Sequence, residues 1–150
     1  MINNTFKQTA YFKEKHTMPN TAKWTPYVLA ILRIVTALLF LEHATMKFFA
    51  FPAGIPGMTG PLPAIMLVAG AIELVTGLLM TVGFYTRIAA FVASGEMAAA
   101  YWMAHAPQGF WPALNMGESA IMFCFIFLYL AFAGAGAWAF DKNRSVSATA

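Results

Sequence analysis

Three stretches of this chain carry no Asp, Glu, Lys or Arg: 25 residues from Phe48 to Ile72, 21 from Met97 to Gly117, and 22 from Ser119 to Phe140. A surface helix of a soluble protein needs a charged or polar face, and the last two runs leave none. Composition agrees. Of 150 residues, 60% are apolar and only 10% charged, with a mean hydropathy of +0.65. Soluble domains carry about 25% charged residues, so too few charges remain here to coat a soluble globule. A disordered chain, a collagen-like chain and a disulfide scaffold are excluded on the same grounds. An integral membrane protein remains.

The charges that exist are placed unevenly. Eight of the fifteen lie in the first 23 and last ten residues; the 117 residues between hold only Arg33, Glu42, Lys47, Glu73, Arg87, Glu96 and Glu118. A spanning helix takes roughly 20 apolar residues, so this middle region accommodates four spans. Helix breakers place them at about 26–49, 62–82, 87–106 and 113–140. Thr25 suits an N-cap before Pro26, residues 51–63 carry four prolines and three glycines and read as a connection, Gly83 suits a helix end, Thr86 suits the next N-cap, and Pro107 stops the third span. The fourth span exceeds the bilayer's need, which predicts tilt or an interfacial segment after Gly134. The fold class is all-α, a four-helix membrane bundle spanning 25–141. Residues 1–24 and 142–150 read as tails, the first flexible, with Met1 or Met18 as the true start.

With four spans both termini share one side. That side carries Lys7, Lys13, Lys15, Lys23, Arg87, Lys142 and Arg144 against Lys47 alone on the other. This asymmetry predicts cytoplasmic termini in a bacterial inner membrane. The pI of 9.2 then reflects topology. No basic face, RNP-type pattern or zinc spacing points to nucleic acid. No h-region precedes Tyr27, so a cleaved signal peptide is not expected. Cys124 has no second thiol in the chain, so disulfide exchange would need a partner, and a packing role is the simpler reading.

Ionisable groups inside hydrocarbon are costly unless paired or hydrated, yet every span here carries a glutamate. At about 1.5 Å per residue, Glu42, His43, His105, Asn115 and Glu118 fall in one outer layer, Glu73 and Glu96 near the middle, and Arg33 in the inner half. At about 100° per residue, Arg33, His43 and Lys47 share one side of the first helix, with Glu42 nearly opposite Arg33. Arg33 is therefore expected to pair across helices with Glu73 or Glu96. Several explanations compete. The groups act as packing glue. They form a proton or ion path. They line a site for an amphipathic redox ligand such as a quinone, with His43, His105, Asn115, Glu118 and Glu42 binding and Arg33, Glu73 and Glu96 supporting. Two histidines meet the minimum for bis-histidine haem and nothing else favours it. No Glu-x-x-His pair suggests a di-iron site and no metal is expected. Walker, nucleophile-elbow and HExxH motifs are missing.

The polar residues also form a recognisable series. Arg33 precedes His43-Ala-Thr-Met-Lys47. Gly70-Ala-Ile-Glu73 leads to Gly77, Gly83 and Thr86-Arg87. His105 closes the third span, Asn115-Met-Gly117-Glu118 opens the fourth, and Gly134-Ala-Gly136 runs on to Asp141. Over about Arg33 to Asp141 the chain resembles the DoxX-like family of small bacterial membrane proteins. Ala44 stands where that family has glycine, and Glu42 and Glu96 are additional acids. The resemblance implies a four-helix membrane bundle. Members are linked with thiosulfate oxidation, quinone reduction and oxidative-stress complexes, so it also implies a redox-associated subunit with a quinone as ligand. Expected partners are the lipid bilayer and a soluble or membrane redox protein, and a homo-oligomer is compatible. At most the chain is one subunit of a membrane oxidoreductase. The alternative is a non-enzymatic scaffold or a small proton- or ion-conducting protein.

Overall fold

A computed structural model describes residues 21–143. The two tails, apart from their innermost residues, and the cations Lys7, Lys13, Lys15 and Arg144 lie outside them. The described chain is all-helical, with four principal helices, as expected. Helix α1 is Thr25–Phe49, α2 Ala64–Val82, α3 Thr86–Ala100 and α4 Glu118–Ala133. Pro26 sits in the first turn of α1, where a missing N–H costs nothing. The helix takes in Thr25 itself, and Trp24 holds the cap position without a side-chain bond. Gly83 ends α2 in the left-handed region, φ +71°, giving its N–H to the Leu79 and Met80 carbonyls.

Two expectations are corrected at the helix ends. Thr86 does not cap α3. Tyr85 occupies the cap position, and Asp141 supplies the cap from 55 residues away, its two carboxyl oxygens accepting from the Tyr85 and Thr86 amides at 2.8 Å each. A carboxylate satisfies orphan amides and the positive end of the helix dipole together, which a hydroxyl cannot match. The fourth helix is also shorter than the apolar run that contains it. Residues 112–116 form turns, and the helix stops at Gly134, φ +90°, so of the two alternatives for the long apolar run it is the segment after Gly134, not a longer tilted helix, that is found. The remaining apolar residues fold back across α1, where the Ala137 amide bonds the Pro26 carbonyl at 2.8 Å. A short turn at Phe140–Asn143 follows.

At the far end of α3 the chain widens into an i→i+5 turn over Tyr101–His105, with the Ala106 amide on the Tyr101 carbonyl, then tightens over Ala106–Gln108. Pro107 has no N–H to continue an α-helical ladder, and such wide turns are a recurrent way to re-aim side chains at functional sites.

Helices α1 and α2 pack as one hairpin and α3 and α4 as another, with α2 against α3 joining them. Small residues set the spacing. Ala30, Ala37 and Ala44 recur every seven residues along α1 and are fully buried. A Cβ on Gly77 would stand 2.7 Å from the Leu41 side chain, so Leu41 of α1 packs directly onto the Gly77 backbone of α2. The core continues through Phe40, Met80, Met97, Phe127 and Leu130. Outward faces are apolar instead of charged: Val35, Val75, Phe91 and Phe125 are all at least half exposed. Water would penalise such a surface, whereas acyl chains do not. Helices α1 and α2 are each long and apolar enough to cross a membrane, and α4 is a shorter apolar helix.

Candidate functional site

The polar residues separate into two assemblies at opposite ends of the bundle. The first lies at the end where the described residues begin and finish. Arg33 is fully buried there, and all its bonds go to backbone carbonyls. Nε donates to Ala135 at 2.8 Å, Nη1 to Thr81 at 2.9 Å and to Met80, and Nη2 to Trp138 at 2.9 Å and Ala137 at 3.2 Å. Helix ends leave such carbonyls without partners, and a guanidinium is the side chain with enough donors to satisfy several at once. The expected pairing of Arg33 with Glu73 or Glu96 is therefore corrected: both acids lie nearer the other end. Arg87 repeats the device, with Nη1 donating to the Ala131 and Phe132 carbonyls at the end of α4. Together with the Asp141 cap, these arginines bind α1, α2, α3 and the segment after α4 into one junction.

The second assembly surrounds a cavity of about 580 Å³. It lies between the two hairpins, towards the end holding the connections 50–63 and 109–117. His43, Lys47, Glu73, Glu96, His105 and Ser119 supply its polar lining, and Phe123 and Met97 are among its apolar walls. Lys47 Nζ donates to both oxygens of Glu73, at 2.6 Å to Oε2. Glu73 is 2% exposed and Lys47 11%. Gly70 makes this reach feasible. It is buried one turn before Glu73, and a Cβ on it would crowd Lys47 Cδ at 3.1 Å and the Phe48 ring at 2.9 Å. Glu96 sits across from the ion pair and its Oε2 is buried without a partner.

The roles of the histidine nitrogens follow from geometry. His43 Nδ1 lies 3.0 Å from the Leu39 carbonyl, and His105 Nδ1 2.9 Å from the Asn115 carbonyl. A carbonyl only accepts, so each Nδ1 carries a proton and Nε2 is the ring nitrogen left to meet a ligand. Phe123 packs edge-on against His43, with ring centroids 5.6 Å apart, and anchors the group to the Phe40–Phe127 cluster.

The structure thus gathers His43, His105, Glu73 and Glu96 around one space and does not bring Glu42, Asn115 or Glu118 into it. Glu42 is exposed on another side of α1, and Glu118 is exposed in the first turn of α4. Asn115 is buried but turned into its own loop. Its Nδ2 donates to the Gly109 carbonyl at 2.7 Å and its Oδ1 accepts from the Gly117 amide at 2.8 Å. It acts at one remove, because its carbonyl orients His105. Lys47 and Ser119 are lining residues outside the expected set. Lys47 could have been found from its spacing, since it follows His43 by four residues on the same helical face.

The DoxX family model matches residues 28–106, from the start of α1 through the wide turn. The chain belongs to the DoxX family. The matched region contains most of the cavity's polar residues and the two arginines of the junction. A protein of Haemophilus influenzae described as uncharacterized is 47% identical over 110 residues, covering 71% of this chain and 82% of that one. No solved structure matches the chain. Membership agrees with the apolar exterior, and this is a DoxX-like membrane protein.

Proposed function

We propose that this DoxX-family protein holds a quinone-type ring in the cavity between its hairpins and works as a redox-associated subunit of the bacterial inner membrane, its loop end towards the periplasm. The observation that carries the reading is the make-up of the cavity walls. Ile65, Val68, Val92 and Met103 line it and are also exposed on the outside of the bundle. The space therefore opens sideways, at the level of acyl chains. A ligand dissolved in lipid reaches it without crossing water. Inside, a few convergent polar groups stand against apolar walls, the usual make-up of a small-molecule site. The volume suits a ring and part of an apolar tail. His43 and His105 each leave Nε2 for a hydrogen bond to the ring's oxygens, Lys47 has a third N–H beyond the two given to Glu73, and Phe123 offers an aromatic wall. Electrons would pass to or from a partner protein, with the ring as carrier.

The test is a solvent extract of the detergent-purified full-length protein, analysed by mass spectrometry. Wild type should carry a quinone in near-stoichiometric amount, and His105→Ala, with helicity intact by circular dichroism, should lose most of it. Wild-type protein that contains no quinone and takes none up from quinone-loaded micelles overturns the proposal.

A further inference from the structure

The two hairpins are fastened to each other at one end only. One hairpin is α1 with α2, joined by residues 50–63, and the other is α3 with α4, joined by residues 101–117. Both connections lie at the loop end. The short link from α2 to α3, at Gly83, lies at the opposite end. Among the described residues, the hydrogen bonds that cross from one hairpin to the other gather at that same end. Arg33 of α1 donates to the carbonyls of Ala135, Ala137 and Trp138 beyond α4, the Ala137 amide bonds the Pro26 carbonyl, and the Asp141 amide bonds the Gly83 carbonyl at 2.9 Å. We infer that the hairpins are the two arms of a clamp, hinged at the arginine junction, and that the clamp opens at the loop end to admit a ligand to the cavity. The inference concerns access and holds whichever ligand the cavity takes.

At the loop end each hairpin satisfies its own polar groups. Lys47 bonds Glu73 within the first. Within the second, His105 bonds the Asn115 carbonyl, the Asn115 side chain bonds Gly109 and Gly117, and the Ser94 hydroxyl donates to the Cys124 carbonyl. Parting the arms breaks none of these bonds. What crosses between the arms beside the cavity is ring contact. Phe123 of α4 packs on His43 and on Phe40 of α1, with centroids 5.6 Å apart in both cases. From Phe40 and Phe127 towards the junction the space between the arms is filled by core side chains, Met80, Ala90 and Leu130 among them. On the other side of Phe123 lies the cavity that it lines.

The bilayer makes this asymmetry matter. Parted apolar faces in water would lose their whole hydrophobic contact. Acyl chains are as apolar as the side chains they would replace, so only the difference in packing opposes parting. The bonds of the fully buried Arg33 have no such substitute, because lipid supplies no acceptor for a guanidinium. The arms therefore hold at the junction and yield at the loop end, as in a hinge closed by a few contacts. Phe123 is the latch.

Double electron–electron resonance on the full-length protein in lipid nanodiscs tests this, with nitroxide pairs at exposed positions in a Cys124→Ala background. Glu42→Cys with Glu118→Cys spans the arms towards the loop end, Val28→Cys with Phe132→Cys spans them near the junction, and Trp102→Cys with Glu118→Cys stays within the second arm. The first pair is expected to give a distance distribution about twice as broad as either of the others, because a hinge moves its far ends most. Phe123→Ala should lengthen the mean distance of the first pair and leave the other two unchanged. Equal widths for the three pairs without that substitution overturn the inference. So does a Phe123→Ala protein in which the first pair is unchanged or all three broaden alike. The comparison of the three pairs alters no core side chain beyond Cys124 and decides alone if Phe123→Ala does not fold.

Discussion

Lys47 and Glu73 meet at a place where Glu73 is buried and Lys47 nearly so, and that shapes what each contributes. The attraction of a buried pair is offset by the cost of desolvating both ions, so its net contribution to stability is small. Losing one member is different, because the survivor is left as an uncompensated charge among apolar side chains. Lys47→Met or Glu73→Leu alone should each lower stability by about 3–5 kcal/mol, whereas the double substitution Lys47→Met with Glu73→Leu should recover most of the loss. Unfolding of the four proteins in mixed micelles, followed by circular dichroism, gives the coupling directly; simple additivity would show that the pair is not formed. The residue scale also marks where sequence reasoning stopped. Residue counting gives the height of a side chain in a bundle, so His43, His105, Glu42, Asn115 and Glu118 could be placed in one layer. Height leaves azimuth open. Glu42 precedes His43 by one residue and is thus turned by about 100° away from it. Asn115 was indistinguishable in sequence from a ligand-facing amide until the loop that consumes its side chain was visible.

At the scale of elements, the punctuation of the chain was largely legible. Pro26, the Pro-Gly-rich stretch 51–63, Gly83 and Pro107 stand near the ends of α1, α2 and α3, because each removes a donor or permits a backbone turn that regular helix forbids. The end of α4 was only half legible: the apolar run continues to Phe140, and its excess length with Gly134 left tilt or a departing segment as alternatives, while the helix ends at Ala133. What redirects the chain is tertiary: Arg33 and the Pro26 carbonyl recruit its backbone groups. Gly136 lies at that crossing, with φ +72°, and a Cβ there would stand 2.6 Å from the Pro26 oxygen. Gly95, on the exposed side of α3, has nothing within 4 Å of the same position. The two glycines should therefore respond in opposite directions to one substitution. Gly95→Ala should stabilise by about 0.5–1 kcal/mol, since alanine loses less conformational freedom in a helix. Gly136→Ala should destabilise by about 2 kcal/mol or more, through left-handed strain and the displaced contact with α1. Melting temperatures in one detergent rank the pair; a stabilised Gly136→Ala would mean that the strap across α1 is absent.

For the molecule as a whole, the position of the ion pair sharpens the topology argument. Counted along the sequence, Lys47 is the single cation opposing a cytoplasmic terminal end. In the folded chain it is turned into the cavity and bound to Glu73, so it contributes little charge to the surface at the loop end. Arg87 and Lys23 lie at the terminal end, with Tyr27 packed between Trp24 and Trp138 around the start of α1. Aromatic rings mark an interface on either side of the membrane, and orientation comes from the cations, which are retained on the cytoplasmic side. They predict that the end bearing residues 51–63 is translocated. The single native cysteine makes the check simple. In a Cys124→Ala background, Thr59→Cys should react with a membrane-impermeant maleimide in intact bacterial cells, and Thr21→Cys should react only after the inner membrane is opened. The reverse pattern would place the cavity nearer the cytoplasm. Any protons its ligand exchanged would then come from that side, and the charge asymmetry of this chain would have to be explained by anionic partners of its terminal end instead of by insertion.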